Sequence, residues 1–372
     1  MKIALVHDSL TQEGGAERVL QALHGLYPEA PVFVLVASKK LWEKYSTWDI
    51  RVSWLQRLYQ IFPKFQYFFP LIPTALKTWS FKGYDLVISS SSSFAKNIHV
   101  PKNTVHIDYC HTPTRFLWLD HDYLTQELPW FLKVFRPVIG LLLKWLRRWD
   151  YKRAQQVTAF FANSREVQAR IKKFYGREAG IVYPPVDTDF WHKTGDKQDY
   201  FLIAGRLQAH KNNDAVIKLF NESGLPLHVA GTGRQEALLK KLAKPNIKFL
   251  GRVSDDALRN EYSGARAFIY PQVEDFGLMP LEAAACGTAS LGVSEGGSLE
   301  TIIPGRTGEL FDQGDFEQLG QLVRRWQQEK YRPEELRHHA ERFSLAQFQA
   351  GFKKAVENIF VSANRPNHEN RH

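Results

Sequence analysis

Two doubly wound α/β domains, each a parallel sheet covered by helices on both faces, are what this sequence predicts. Three observations carry the prediction. Short apolar runs of four to six residues recur, each closed by Gly or Pro and followed by a helical pattern, which is the signature of βαβ units. The 372 residues suffice for two domains of ordinary size, and 44% hydrophobic with 13% aromatic content is ample for two cores. A polar, proline-bearing stretch, PPVDTDFWHKTGDKQ at 184 to 198, interrupts the pattern near the middle and reads as a linker.

The first half offers the runs KIALVH, PVFVLVA, DLVISS, TVHIDYC, TAFFANS and GIVYPP as strands. The opening MKIALVHDSL stops being apolar at His7 and Asp8, too early for a signal-peptide core, and reads as a buried first strand. The serine run at 89 to 94 is expected to be a hydroxyl-rich loop, and no chemistry is assigned to it. In the second half YFLIAG precedes a helix from about Asn213, LHVAG one from about Gln235 to Leu242, and IKFLG one from about Asp255 to Ser263. AFIYP then precedes the helix of LMPLEAAACG, and TASLG follows. These readings give a domain over 1–184, a second over 185–345, a last helix over 346–360 and a disordered polar tail over 361–372.

No stretch approaches the ~20 apolar residues of a membrane-spanning helix. Cys110 and Cys286 have no metal-ligand or redox spacing, which fits a reducing compartment and inert, unbridged thiols. The net charge of +10 is unevenly placed. Residues 1 to 185 hold 25 Lys and Arg against 14 Asp and Glu, a net +11, while the remainder holds 24 against 25. An anionic partner for the first half follows, either an acidic membrane surface or nucleic acid. The segments RVSWLQRLYQIFPKFQYFFPLIPTALKTW and PWFLKVFRPVIGLLLKWLRRWD mix Trp and Phe with Lys and Arg. Interfacial membrane contact and base stacking both use that composition.

In doubly wound folds ligands bind outside the carboxyl ends of the strands, so the loops after each strand are where chemistry is sought. After the first strand, Gly14 and Gly15 open a helix, where free backbone N–H groups and the helix dipole suit a phosphate; a flexible cap is the competing reading. After YFLIAG come Arg206 and Lys211, cations able to clamp a diphosphate or merely to sit solvated at a strand end. In VEDFGLMPLEAAACGT, Gly277 turns into a helix whose first turn accommodates Pro280, with Glu274 before it and Glu282 in its second turn. The amides of Phe276, Gly277 and Leu278 suit phosphate oxygens, and the carboxylates suit sugar hydroxyls. Alternatively, Glu282 is a solvent-facing residue of a packing helix. His111 follows the strand TVHIDYC and is a candidate hydroxyl contact or proton relay. Asp-x-Asp occurs at 120 to 122 and at 187 to 189, twice and once in the linker, so neither copy is informative and no metal is required.

With E-x7-E in the context EDFGLMPLEAAACG, the GGAE loop, the Arg206/Lys211 pair and the histidine of YCHTPTRFLW all in order, the chain resembles a retaining family four glycosyltransferase of GT-B fold. The blocks RRWDYKRAQQVTAFFANSREVQARIKKFYGREAGIVYPPVDT and EGGSLETI are similar to those of the mannosyltransferase-like subgroup of bacterial surface-polysaccharide synthesis. The resemblance implies two Rossmann-like domains facing across a cleft, a last helix crossing back to the first domain, and no cofactor or metal. It implies Glu274 at the donor hexose, Glu282 at the ribose, Arg206 and Lys211 at the diphosphate, and His111 at the transferred sugar. Gly15 falls to phosphate and acceptor positioning, Gly14, Phe276, Gly277 and Leu278 fall with it on the donor side, and Glu17 and Arg115 fall on the acceptor side. His210 stands where an aromatic residue often precedes the lysine.

The activity so implied is transfer of mannose from GDP-mannose to a lipid-linked or saccharide acceptor at the cytoplasmic face of a bacterial inner membrane, without nucleic acid as a partner. A transferase using a UDP-sugar, a nucleotide-sugar epimerase or a phosphorylase on the same plan, and a basic nucleic-acid-binding protein are the alternatives.

Overall fold

A computed structural model describes residues 1–119 and 136–363. The Asp-x-Asp at 120 to 122, the start of the basic aromatic segment at 129 to 135, and residues 364–372 of the expected tail lie outside the described residues. The chain divides into two units, residues 1–183 with the chain from Phe348, and residues 184–347.

The first unit holds a seven-stranded parallel sheet in the order β3-β2-β1-β4-β5-β6-β7. Its strands are β1 (Ile3–His7), β2 (Val32–Val34), β3 (Ile50–Val52), β4 (Leu86–Ser91), β5 (Val105–Cys110), β6 (Ala159–Ala162) and β7 (Ala179–Ile181). Alternation along β1 sends Leu5 into one core and Ala4 and Val6 into the other. The first core is closed by the helix Gly15–Leu26, through Val19, Leu20 and Leu23, and by the last helix, Leu345–Ala363. Phe348, Phe352 and Val356 recur every fourth residue and seat that last helix against Tyr109 and Phe161 of the first unit's sheet. The helix continues to Ala363, past the residue 360 at which the sequence reading ended it.

The second unit holds six parallel strands in the order β10-β9-β8-β11-β12-β13. These are β8 (Phe201–Ala204), β9 (Leu227–Ala230), β10 (Ile247–Gly251), β11 (Phe268–Tyr270), β12 (Ser290–Val293) and β13 (Gly308–Phe311). Intervening helices run over Asn213–Ser223, Glu236–Leu242, Asp255–Gly264 and Leu278–Ala285.

Three expectations are corrected. The serine run is not all loop, because β4 continues through Ser89, Ser90 and Ser91, each fully buried. The hydroxyls are tolerated there because β5 supplies acceptors, including Asp108 at 2.6 Å from Ser89 Oγ and 2.8 Å from Ser91 Oγ. Residues 184 to 198 are not a free linker but part of the second unit. Trp191 is buried against Tyr262, and the Val186 amide donates to the Phe343 carbonyl at 2.8 Å. Finally, β3 and β13 were not anticipated; both are sheet edges, where Arg51 and Glu309 interrupt the apolar run an interior strand would show.

Candidate functional site

In the second unit the site is assembled by the loops after β8, β11 and β12. Beyond β8 the chain passes Gly205 and Arg206 into a single turn, Ala209–Lys211, and then Asn212, the one non-glycine residue of positive φ among those described, at 53°. Asn212 tolerates that conformation and ties the loop down, its Nδ2 donating to the Pro271 carbonyl at 2.9 Å. That bond joins the loop after β8 to the loop after β11, and across the join Lys211 is ion-paired with Glu274. Arg206 is exposed and has no ion pair among the described residues.

Gly277 has φ +86°, a left-handed turn that a side chain would strain, and it delivers the chain into the helix Leu278–Ala285. Pro280 falls in the first turn, where no intrahelical donor is lost. Gly287, at φ +77°, follows the Cys286 cap. Glu282 is only 3% exposed, which excludes the solvent-facing reading. Phe276 is buried and packs on Phe343, with ring centroids 5.7 Å apart, so its side chain anchors the loop. Tyr270 is fully buried near both glutamates. Burial first, then the Glu274 carboxylate, holds its phenol well above the ordinary range, with Glu282 adding to the effect.

The sequence reading missed Gly296 and Gly297 as parts of this site. The Gly297 amide donates to the Glu274 carbonyl at 2.9 Å, and a Cβ on Gly297 would lie 1.9 Å from the Phe276 carbonyl oxygen. Only glycine lets the turn after β12 approach the EDFG backbone so closely. Paired glycines two residues beyond a strand were the available signal.

In the first unit Gly14, Gly15, Glu17, His7, Ser90 and His111 lie around the carboxyl ends of β1, β4 and β5. Gly14 is the extended cap of the helix Gly15–Leu26, and a Cβ there would lie 3.3 Å from Glu17 Oε2. Glu17 therefore folds back over Gly14, is 5% exposed, and places Oε1 3.7 Å from His7 Nε2. His111 is 8% exposed, with Nε2 2.8 Å from Ser90 Oγ. Burial, followed by the neighbouring His7, pushes the His111 imidazole down to about 3, so it is neutral at physiological pH. Asp8, also missed, accepts from the amides of Ser92, Ser93, Phe94 and Ala95 at 2.6, 2.8, 2.7 and 2.7 Å and clamps the chain after β4. Arg115 opens the short helix Arg115–Trp118 with its side chain exposed.

Among the described residues no three His, Cys, Asp or Glu side chains cluster as metal ligands would. The Asp-x-Asp at 187 to 189 serves a turn, Asp187 Oδ1 accepting from the Phe190 amide at 3.0 Å.

Comparison with known proteins gives these sites a context. Residues 13–190 match the family described as "Glycosyltransferase Family 4", and residues 187–343 match "Glycosyl transferases group 1". The chain belongs to the family four glycosyltransferases. Among its relatives is the GDP-mannose-dependent monoacylated alpha-(1-6)-phosphatidylinositol monomannoside mannosyltransferase of Corynebacterium glutamicum, 32% identical over 134 residues, 32% of this chain and 35% of that protein. A glycogen synthase of Thermus thermophilus is 32% identical over 132 residues, 33% of this chain and 30% of that protein. The matches thus span about a third of the length of these two relatives. Anabaena Alr3699/HepE, solved in complex with UDP, is similar in structure with a TM-score of 0.71 at 16% identity, over 96% of this chain and all of that one. That likeness shows the family's GT-B fold.

Proposed function

We propose that this family four chain transfers a hexose, mannose from GDP-mannose, to a lipid-linked or saccharide acceptor in cell-surface polysaccharide synthesis, with retention of anomeric configuration. The second unit takes the nucleotide sugar and the first takes the acceptor. The observation that carries the reading is the pairing of Lys211 with Glu274 beside the Gly277 turn. It supports the reading by bringing together a cation able to meet a diphosphate, a carboxylate able to meet sugar hydroxyls and the open start of a helix in one loop cluster.

As the glycosidic bond breaks, negative charge grows on the leaving diphosphate. Arg206, Lys211 and the first amides of the helix Leu278–Ala285 stabilise that charge without reorganising. Buried Glu282 holds the ribose and His111 contacts the transferred sugar. The mannosyl reading is supported by the corynebacterial relative, whose name states GDP-mannose. A UDP-sugar is the second reading, favoured by the UDP in the Anabaena neighbour.

The acceptor would reach the enzyme at an anionic membrane, the cytoplasmic face of a bacterial inner membrane. Among the described residues no helix is long and apolar enough to cross a membrane. Support for surface contact comes from the helix Arg136–Ala154, where Val138, Leu141 and Trp145 are exposed with Lys144 and Arg148 beside them.

A thermal-shift panel of GDP-mannose, UDP-glucose, UDP-N-acetylglucosamine and ADP-glucose tests the donor, since a ligand bound by the native state raises its stability according to affinity. GDP-mannose is expected to give the largest shift. A larger shift with UDP-glucose would move the assignment to the second reading, and no shift with any of the four would overturn both.

A further inference from the structure

A buried string of polar groups in the first unit runs from Glu17 through His7 and Ser90 to His111, and none of the four is more than 8% exposed. Its directionality follows from hydrogen-bond chemistry. His7 Nδ1 lies 3.1 Å from the Ser90 carbonyl oxygen and 3.2 Å from Ser90 Oγ. A carbonyl can only accept, so His7 Nδ1 carries a hydrogen and donates it toward Ser90. Glu17 lies on the far side of the ring, with Oε1 3.7 Å from Nε2. Ser90 Oγ, with a donor already on its His7 side, turns its own hydrogen to His111 Nε2 at 2.8 Å.

His111 Nε2 is thereby an acceptor. A neutral imidazole has one donor and one acceptor nitrogen, so the ring hydrogen of His111 sits on Nδ1. That nitrogen makes no hydrogen bond among the described residues. The string is held rigidly. The Asp8 carboxylate grips the four amides after β4, and the His111 amide donates to the Ser91 carbonyl at 2.8 Å.

We propose that Ser90 and His7 are positioning residues that lock His111 as the neutral Nδ1–H tautomer, so that it meets the transferred sugar as a hydrogen-bond donor and not as a base. The part concerning the sugar rests on the proposed glycosyl transfer; the tautomer does not. Glu17, in this arrangement, serves the string and not the acceptor directly.

The test is long-range 1H–15N correlation spectroscopy of the full chain labelled at histidine nitrogen, at pH 7 and without donor, with the His111 signals assigned by their loss in His111→Gln. The wild type is expected to show neutral His111 with hydrogen on Nδ1. Ser90→Ala is expected to shift His111 toward the Nε2–H form and, with donor and acceptor, to lower kcat about tenfold, the worth of one lost hydrogen bond, at nearly unchanged donor KM. Ser90→Thr, which keeps the hydroxyl, is expected to restore both readouts, and thermal unfolding of each variant identifies any that fails to fold. His7→Asn retains a donor toward Ser90 and is expected to preserve the tautomer should Ser90→Ala not fold. An Nε2–H or doubly protonated His111 in the wild type overturns the proposal, as does an unchanged tautomer in folded Ser90→Ala. The expected tautomer in a chain that transfers no hexose from any donor would instead count against the proposed function alone.

Discussion

Lys211 and Glu274, 63 residues apart in the chain, are joined as an ion pair across the loops that follow β8 and β11. Their side chains are 16% and 31% exposed, so the pair is within reach of a ligand and partly shielded from solvent screening. In the proposed function, a nucleotide sugar arriving here exchanges the Glu274 charge on Lys211 for that of a diphosphate. Glu274→Gln removes the competing charge while keeping the shape. It is expected to leave nucleoside-diphosphate affinity unchanged or tighter while lowering transfer by about 10²-fold through lost sugar contacts. Calorimetry of GDP binding with steady-state rates checks both, and weaker GDP binding in the variant would contradict the exchange.

Arg206 differs from Lys211 in having no ion pair among the described residues, so in its proposed role at the phosphate no ion pair need be displaced first. Arg206→Ala and Lys211→Ala are each expected to lower kcat by about 10²-fold or more, the scale of one lost transition-state contact of ~3 kcal/mol. Rates near wild type in both variants would remove the diphosphate clamp from the mechanism.

A stability prediction concerns Asp150, fully buried at the end of the helix Arg136–Ala154. It accepts from Lys96 Nζ at 2.7 Å and from Asn97 Nδ2, Trp118 Nε1 and Tyr175 OH, each at 2.8 Å. Asp150→Ala strands the equally buried Lys96 ammonium and is expected to cost ~3–5 kcal/mol. The double variant Lys96→Met, Asp150→Leu is expected to recover most of that loss. Urea unfolding reads both, and a single-variant cost under about 1 kcal/mol would show that Lys96 finds another partner.

What was readable in the sequence divides along a physical line. Gly277, Pro280 and the Gly287 cap were legible because the backbone demands they meet are local. The strand ends that carry Arg206 and His111 were legible from apolar runs of interior strands. The Ser90 partners were not, because His7 is 83 residues away and nothing near a serine run reveals which neighbouring strand will face it. Asp8 was passed over for the same reason, its four donors lying 84 to 87 residues on. Glu282 could not be told from a surface residue until its burial was known.

Acid should destabilise the first unit through its buried histidines. His106, whose Nε2 lies 2.9 Å from Ser89 Oγ, is pushed by burial down to about 3, and His111 likewise. Between pH 6.5 and 3 the unfolded chain binds protons at these rings that the folded chain refuses, so stability falls as pH drops, by on the order of 1 kcal/mol per pH unit for each ring. Asp108 acts in the opposite sense. Burial raises its carboxyl to about 7, so from its unfolded value near 3.8 up to 7 the folded chain holds the extra proton and gains as pH falls. Two histidines outweigh one aspartate, and these groups together favour pH 7 over pH 5. His106→Gln removes one histidine and is expected to flatten the dependence in urea unfolding at pH 7, 6 and 5. An unchanged slope would show that His106 titrates alike in both states.

The proposed membrane contact can be tested at two exposed patches of the first unit. On the helix Arg136–Ala154, Val138, Leu141 and Trp145 are 64%, 70% and 49% exposed at positions i, i+3 and i+7, one stripe flanked by Lys144, Arg148 and Lys152. At the end of the helix Leu55–Ile61, Ile61 and its cap Phe62 are 83% and 47% exposed, with the Lys64 ammonium 6.0 Å from the Phe62 ring centre. Apolar side chains that enter the headgroup region beside cations that meet anionic lipid make binding depend on both surface charge and salt. Co-sedimentation with vesicles of phosphatidylglycerol and phosphatidylcholine is therefore expected to exceed that with phosphatidylcholine alone, and to weaken between about 0.05 M and 0.5 M salt. Leu141→Ser with Trp145→Ser should reduce binding several-fold while leaving thermal unfolding within a few degrees of wild type, because both side chains already face solvent. Equal binding to neutral and anionic vesicles would eliminate the charge argument, and unchanged binding by the double variant would move the contact away from this helix.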